Sequence, residues 1–315
     1  MFQYILRRVL ISIPVLLGVT FLCFTMIYFA PGDATELSQN PNATEADREL
    51  RKEMLGLNDP FLVQYVHWLG DMVQGDLGTS FIHYQPVANL LFERLGPTMI
   101  LAASALIFAY IIAVPLGVLS ALKQYSWIDY TATTGAFIGV SIPNFFFGLG
   151  AIYIFGVVLG ILPTGGMNDL GDPTFGGLIR HLILPTVTLG LAIAGGMIRY
   201  VRSSVLEVLG QEYLRTARAK GLKEFVVITK HAMKNTLLPI ITVVAMDIPM
   251  LIAGAVVTET IFQWPGMGQL TIQSILSRDY PTLMAINLIA SVSVFLANIW
   301  SDIMYAVVDP RIKYD

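Results

Sequence analysis

Catalytic chemistry needs nucleophiles, acids and bases at workable spacing, and this chain supplies few of them. Its lysines are Lys52, Lys123, Lys220, Lys223, Lys230, Lys234 and Lys313, and none is followed by Ser or Thr. A phosphate-binding loop requires Gly-x-x-x-x-Gly-Lys-(Ser/Thr), so the sequence holds no such loop. His67, His83, His181 and His231 are scattered, with no metal-ligand spacing between them, which argues against a metal site. Cys23 is the only cysteine and sits in an apolar run. It reads as a small buried hydrophobe, and no disulfide framework can be built from it. Clustered aspartate pairs, Gly-x-Ser-x-Gly and His-Glu-x-x-His are all missing, so the intramembrane enzymes that those motifs mark are excluded.

What remains is a chemistry of contact, and of charge in unusual places. Within segment 202–236, Tyr213, Leu214 and Ala217 share one face at helical spacing, while Arg215 and Arg218 share another. Gly221 offers the left-handed stop common beyond a helix end. Phe225, Ile228, Thr229 and Ala232 then begin a second amphipathic stretch, which runs into an apolar run from Leu237. The spacing predicts helix, glycine corner, helix: a short, rigid knob. Adsorption to anionic lipid, at ~1 kcal/mol per Lys or Arg, explains the charge but neither the corner nor the apolar stripe. Docking of Tyr213, Leu214, Arg215, Thr216, Ala217, Arg218, Ala219, Lys220, Gly221 and Leu222 in a groove of another protein explains all three.

Asp247 lies inside an apolar run and is followed by Pro249. A carboxylate at mid-bilayer costs on the order of 3 kcal/mol. Asp247 is therefore expected to line or gate a translocation pathway, to bond to a neighbouring helix, or to couple protons. Ser141, Pro143 and Asn144 interrupt another apolar run. Proline there frees a carbonyl that needs a new partner, often in a water-lined cavity, so these residues belong either to the pathway or to plain packing. Glu259, Trp264, Pro265 and Gly266 form a further group. They are expected at an outer gate or a binding-protein contact; a solvated helix-end charge and interfacial anchoring of Trp are the alternatives.

The elements that must position these residues follow from charge distribution. Of 315 residues, 55% are hydrophobic and 13% charged, against roughly 25% charged in a soluble domain. Residues 9–32, 95–122, 130–168, 181–198, 235–246, 248–258 and 280–301 carry no Asp, Glu, Lys or Arg. A bilayer core needs about 20 mostly apolar residues per helical span. The runs predict an all-α membrane protein with six transmembrane helices, near 9–30, 97–121, 133–161, 182–201, 237–258 and 282–307. The first run exceeds the about 7–15 residues of a signal h-region and ends Phe-Ala-Pro-Gly-Asp, without a cleavage site. It is expected to be a retained span.

Placing both termini in the cytoplasm puts thirteen Lys and Arg inside (Arg7, Arg8, Lys123, Arg199, Arg202, Arg215, Arg218, Lys220, Lys223, Lys230, Lys234, Arg311, Lys313). Six lie outside: Arg48, Arg51, Lys52, Arg94, Arg180 and Arg278. That asymmetry satisfies the positive-inside rule. The chain then divides into an N-terminal span (1–30), an extracytoplasmic segment (31–93), a five-helix core (94–308) and a cytoplasmic tail (309–315). Thr44 with Asp47 is a weak helix-start signal in the outer segment, followed by Leu50, Met54 and Leu57. Phe61, Tyr65, Trp68 and Leu69 give a second apolar face. Its expected work is to cap an outer mouth. A net charge of −3 gives no reason to expect a nucleic-acid partner.

The knob resembles the cytoplasmic loop of permease subunits of binding-protein-dependent ABC importers, in the peptide and nickel branch. That branch shows Arg-Thr-Ala-Arg-Ala-Lys-Gly, here Arg215–Gly221, then His-Ala-x-(Lys/Arg)-Asn-x-Leu-x-Pro, here His231–Pro239. The broader family begins with Glu-Ala-Ala; Arg215 and Thr216 depart from it, while Ala217 and Gly221 match. Tyr4–Arg8, Ala30–Asp33, Phe262–Gly268, Arg278–Pro281, Asp302–Ala306 and Asp309–Ile312 look like further family signatures, in the right order. The resemblance implies a type I importer permease fold and a permease for di- or oligopeptides, with nickel or glutathione as alternatives in the branch. Implied partners are a homologous second permease, two cytoplasmic ATPases that hold ATP and Mg, and an extracytoplasmic substrate-binding protein. The implied place is the bacterial cytoplasmic membrane. A stand-alone secondary transporter is the alternative of another class; it would need an inverted repeat, and none is evident.

Overall fold

The computed structural model describes residues 2–30, 46, 49, 52–53, 56–169, 174–252 and 255–308. The expected helix start at Thr44 and Asp47, residues Leu50 and Met54, and the tail 309–315 lie outside them. In chain order the helices are α1 (Phe2–Tyr28), α2 (Phe61–Val73), α3 (Val87–Leu122), α4 (Trp127–Ser141) and α5 (Asn144–Ala151), the last extended by a π-helical turn, Ile152–Val158. Then come α6 (Phe175–Leu209), α7 (Glu212–Ala219), α8 (Glu224–Val226) with a π-helical turn Val227–Ala232, α9 (Met233–Ile252), α10 (Val256–Ile261), α11 (Met267–Leu276) and α12 (Tyr280–Val308). Thr79 and Pro86 form an isolated antiparallel bridge.

Among the described residues, four helical stretches are long and apolar enough to cross a bilayer: Leu6–Tyr28, Val87–Leu122, Phe175–Leu209 and Tyr280–Met304. The predicted third run is not one straight helix. It breaks after Ser141, and its two halves meet at 95°. The cause is local. Proline disfavours helical geometry in the residue before it, and Ile142 is extended at ψ 122°. Pro143 then caps α5. Counted as one crossing, the broken pair brings the total to five. The predicted fifth run falls on α9, which carries Asp247 and two prolines, Pro239 and Pro249.

α3 and α6 form the spine. Where a Cβ on Gly190 would meet Phe108 and the Ala105 carbonyl, one on Gly117 would meet Val201 and the Ile198 carbonyl. The pairs 105/190 and 117/201 rise together, so the two helices run parallel. α4 lies antiparallel on the same helix, with Gly139 at the Leu191 carbonyl and Gly195 at the Ala136 carbonyl. The core between them is built on alanine: Ala109, Ala113, Ala121, Ala132, Ala136 and Ala194 are buried with Val201 and Val205. Small residues let backbones approach where lipid offers no hydrophobic drive for association. α9 packs chiefly on α12, and α1 on α12 and α2. The α1 face is largely exposed, as a lipid-facing span requires. Phe61 and Tyr65 of α2 turn, as the spacing predicts, onto the α1 aromatics Phe21, Phe24 and Tyr28.

Two adjacent glycines test this packing. A Cβ on Gly195 would lie 2.7 Å from the Ala136 carbonyl, whereas one on Gly196 would meet nothing within 4 Å. Gly195→Ala should destabilise by about 1–3 kcal/mol, the usual cost of overpacking. Gly196→Ala should be neutral or slightly stabilising. Thermal unfolding of the purified variants separates the two; equal melting temperatures would contradict the close approach.

Candidate functional site

The knob forms as helix, corner, helix, but its apolar stripe faces inward. Leu214 and Ala217 are buried against Val227 and Ala232, with Val208 and Leu209 at the edge. The stripe therefore holds α7 to the end of α6 and to the π-helical turn, and Leu214 and Ala217 offer no contact to a partner. Tyr213 is part-exposed, and its hydroxyl accepts from Asn235 Nδ2 at 2.6 Å. The second half is also phased differently from the sequence expectation: Val227 is buried and Phe225 is 76% exposed. Phe225 precedes the π-helical turn and already points outward; the wider turn then carries Val227 and Ala232, five residues apart, to the same buried side.

Gly221 makes the corner at φ +77°, while its missing Cβ leaves open space. The need for glycine is thus conformational rather than steric. Arg218 clamps the corner from outside, donating from Nη2 to Glu224 Oε1 at 2.8 Å and from Nε to Oε2 at 3.0 Å. These paired bonds hold the Glu224 carboxyl below its usual range and raise the Arg218 guanidinium. Arg215 pairs with Glu212 at 2.8 Å on the open side. The knob's outer face is therefore Arg215, Lys220, Leu222 and Phe225, all exposed.

Just above the knob, a buried ion pair was not legible in the sequence. Arg202, on the last part of α6, donates from Nε and Nη2 to the two carboxylate oxygens of Asp129 at 2.7 and 2.8 Å. Asp129 sits in the first turn of α4 and also accepts from the Ser120 hydroxyl and, at 2.9 Å, from the Tyr125 backbone amide. The local signal that could have drawn attention to it is an acid in the first turn of a helix that Ser126 caps.

The residues expected along a pathway do not form one group. Ser141 and Pro143 are exposed at the break between α4 and α5. Asn144 lines a cavity of about 300 Å³ between α3, α4 and α6. Asp247 is elsewhere, on α9, where Tyr110 of α3 donates to its Oδ2 at 2.7 Å. Helix-to-helix bonding, one of the three expectations for Asp247, thus has a partner.

On the opposite side, Glu259 corrects the expectation of a solvated or partner-facing charge. It is fully buried. Its carboxylate accepts from Thr98 Oγ1 at 3.0 Å and from the backbone amides of Gly268 and Gln269 at 2.7 and 3.1 Å. Trp264 is equally buried, its Nε1 donating to the Pro97 carbonyl at 2.9 Å. Gly266 has no room for a side chain: a Cβ would lie 2.4 Å from Thr98 Oγ1. Glu259, Trp264 and Gly266 fasten the 262–269 loop onto α3 from within, so none of them forms a binding-protein surface in this conformation. Asp279 fastens the Ser80–Phe81 turn similarly, accepting from Ser80, the Phe81 amide and Thr282.

Comparison with known proteins gives this arrangement a class. Residues 113–314 match the family described as binding-protein-dependent transport system inner membrane component, and residues 1–102 match the N-terminal family of the same membrane components. The chain belongs to this family: it is a multi-pass inner-membrane permease and not itself an enzyme, and it works with an ATPase and a substrate-binding protein. Among its relatives, an oligopeptide transport system permease protein, AppB of Bacillus subtilis, is 50% identical over all of both chains. A dipeptide permease, DppB of Alkalihalophilus pseudofirmus, is 40% identical, also over the whole of both chains. The glutathione permease GsiC of Escherichia coli K12 is 37% identical over the same extent. A solved chain of the MetNI methionine ABC transporter superposes with TM-score 0.56 at 17% identity, covering 70% of this chain and 96% of that one. It shows the type I importer permease fold.

The Glu259 latch yields a test. Glu259→Leu strands the Thr98 hydroxyl and two backbone amides without an acceptor, at about 1–3 kcal/mol for each buried group. Membrane abundance and melting temperature should fall sharply, and Glu259→Gln, which keeps an acceptor, should lose less. Unchanged melting in Glu259→Leu would mean that the loop is held by something else.

Proposed function

We propose that this chain is one of two homologous permease subunits of an ATP-driven importer of di- or oligopeptides. The observation that carries the reading is full-length identity of 50% to an oligopeptide permease and 40% to a dipeptide permease, joined to an α7 corner whose outer face is unoccupied by the chain's own packing. Two cytoplasmic ATPases hold ATP and Mg, and one of them receives the knob. An extracytoplasmic protein delivers the substrate. Six crossings result when α9 and the broken α4–α5 pair each count as one. The thirteen-to-six distribution of Lys and Arg then supports cytoplasmic termini. Residues 1–30 form the anchoring span, 31–93 the outer segment, 94–308 the transporting core with loop 202–236, and 309–315 the tail. Asp247, Asn144 and the break at Ser141–Pro143 are proposed for the translocation path. The 259–266 latch is proposed as the inner support of the outer gate.

The orientation of α7 sharpens the docking surface. Single cysteines at Arg215, Lys220 and Phe225 should cross-link to a co-purified ATPase subunit, while one at Leu214 should not. Cross-links confined to lipid, or equal at all four positions, would defeat the docking assignment.

A further inference from the structure

We infer that the Asp129–Arg202 pair is the bolt by which displacement of the α7 knob reaches α3 and α4. The inference rests on the reading of α7 as the ATPase-docking element, and assigns Asp129 and Arg202 as positioning residues for transport. Arg202 precedes the end of α6 by seven residues, and α7 begins three residues after that end. Leu214 and Ala217 seal α7 against Val208 and Leu209 of the same helix. A push on α7 is therefore a push on the last two turns of α6. Asp129 lies across from those turns, at the corner where α3 ends at Leu122 and α4 begins at Trp127.

Among the described residues, no other ion pair joins this corner to α6. Ser120, Tyr125, Thr133 and Arg202 all converge on the one carboxylate, so Asp129 gathers the end of α3, the turn and the start of α4 and ties them to α6 through the guanidinium. The bidentate fork fixes direction as well as distance, which a single Lys bond would not. Asp129 is buried and Arg202 three-quarters so, which limits solvent screening of the pair. The flanking contacts at Gly117–Val201 and Ala136–Gly195 are alanine, glycine and valine surfaces, joined elsewhere by the Ser104–Thr186 hydroxyl bond at 2.8 Å and by Arg199 over the Phe137 ring at 5.0 Å. The ion pair adds to them a paired, charged and directional bond at the corner itself.

The test uses the assembled transporter in proteoliposomes, reading substrate uptake per ATP hydrolysed and normalising to assembled complex. Asp129→Asn and Arg202→Lys should retain basal ATP hydrolysis and the Arg215Cys cross-link to the ATPase, and should lose roughly tenfold in uptake per ATP, within the range for residues that carry coupling. Exchanging the pair, Asp129→Arg with Arg202→Asp, should recover part of that loss. A wild-type ratio in both single variants overturns the inference. If a single variant fails to assemble, the exchanged pair decides: assembly with a normal ratio supports the bolt, and assembly with a ratio as low as Arg202→Lys opposes it. Absence of the cross-link in the unmodified protein would instead remove the docking reading, a separate failure.

Discussion

The close approach of α6 to its neighbours governs the rest of the structure. Gly190 and Gly117 bring α3 within backbone contact on one side, and Gly195 does the same for α4 on the other. Nothing in lipid drives helices together as water does, so shape fit and a few buried polar bonds must hold the bundle. Here the fit comes from alanine and glycine, and the charged, multiply bonded clusters sit at the two ends. At the end next to the knob Asp129 and Arg202 join α4 to α6. At the opposite end Glu259, Thr98 and Asp279 fasten the loops between α10 and α12 onto α3 and the Ser80–Phe81 turn. Between them the polar links are few: Tyr110 to Asp247 and Ser104 to Thr186. A bundle keyed most heavily at its ends suits a protein whose helices shift as units between two states.

The knob follows the same economy. Its apolar stripe is spent on its own chain, and only the polar and aromatic outer face is free. An amphipathic helix is usually read as having one solvent face and one partner face. α7 instead uses the apolar face for attachment, which makes it a rigid extension of α6 rather than a loose tether. The Arg218–Glu224 pair and the left-handed Gly221 fix the angle at which the chain turns back.

The membrane class, the apolar runs and the corner at Gly221 were legible in the sequence because each depends on local pattern. Charge-free stretches need no partner to be recognised, and Pro143 restricts Ile142 whatever surrounds it. The faces of the knob were legible only in part. Leu214 and Ala217 do share a side, but amphipathic spacing cannot say whether that side meets a partner or the chain itself. Beyond Glu224 it is Val227, not Phe225, that turns inward, and the π-helical turn then sets the next buried residue, Ala232, five positions on. The long-range polar bonds were invisible: Asp129 and Arg202 stand 73 residues apart, and Thr98 and Glu259 stand 161 apart. Glu259 looked like an exposed charge since nothing near it in sequence announces a buried pair of amides to accept from.

The central claim is that the ends of α3, α4 and α6 move with α7 as one body. Spin labels at the exposed residues Tyr125 and Glu212 measure it directly, with a second pair at Glu212 and Leu6 on α1, in nucleotide-free and nucleotide-bound transporter. The account predicts one unchanged Tyr125–Glu212 distance distribution in both states, while Glu212–Leu6 shifts. A Tyr125–Glu212 separation that changes with nucleotide would contradict it.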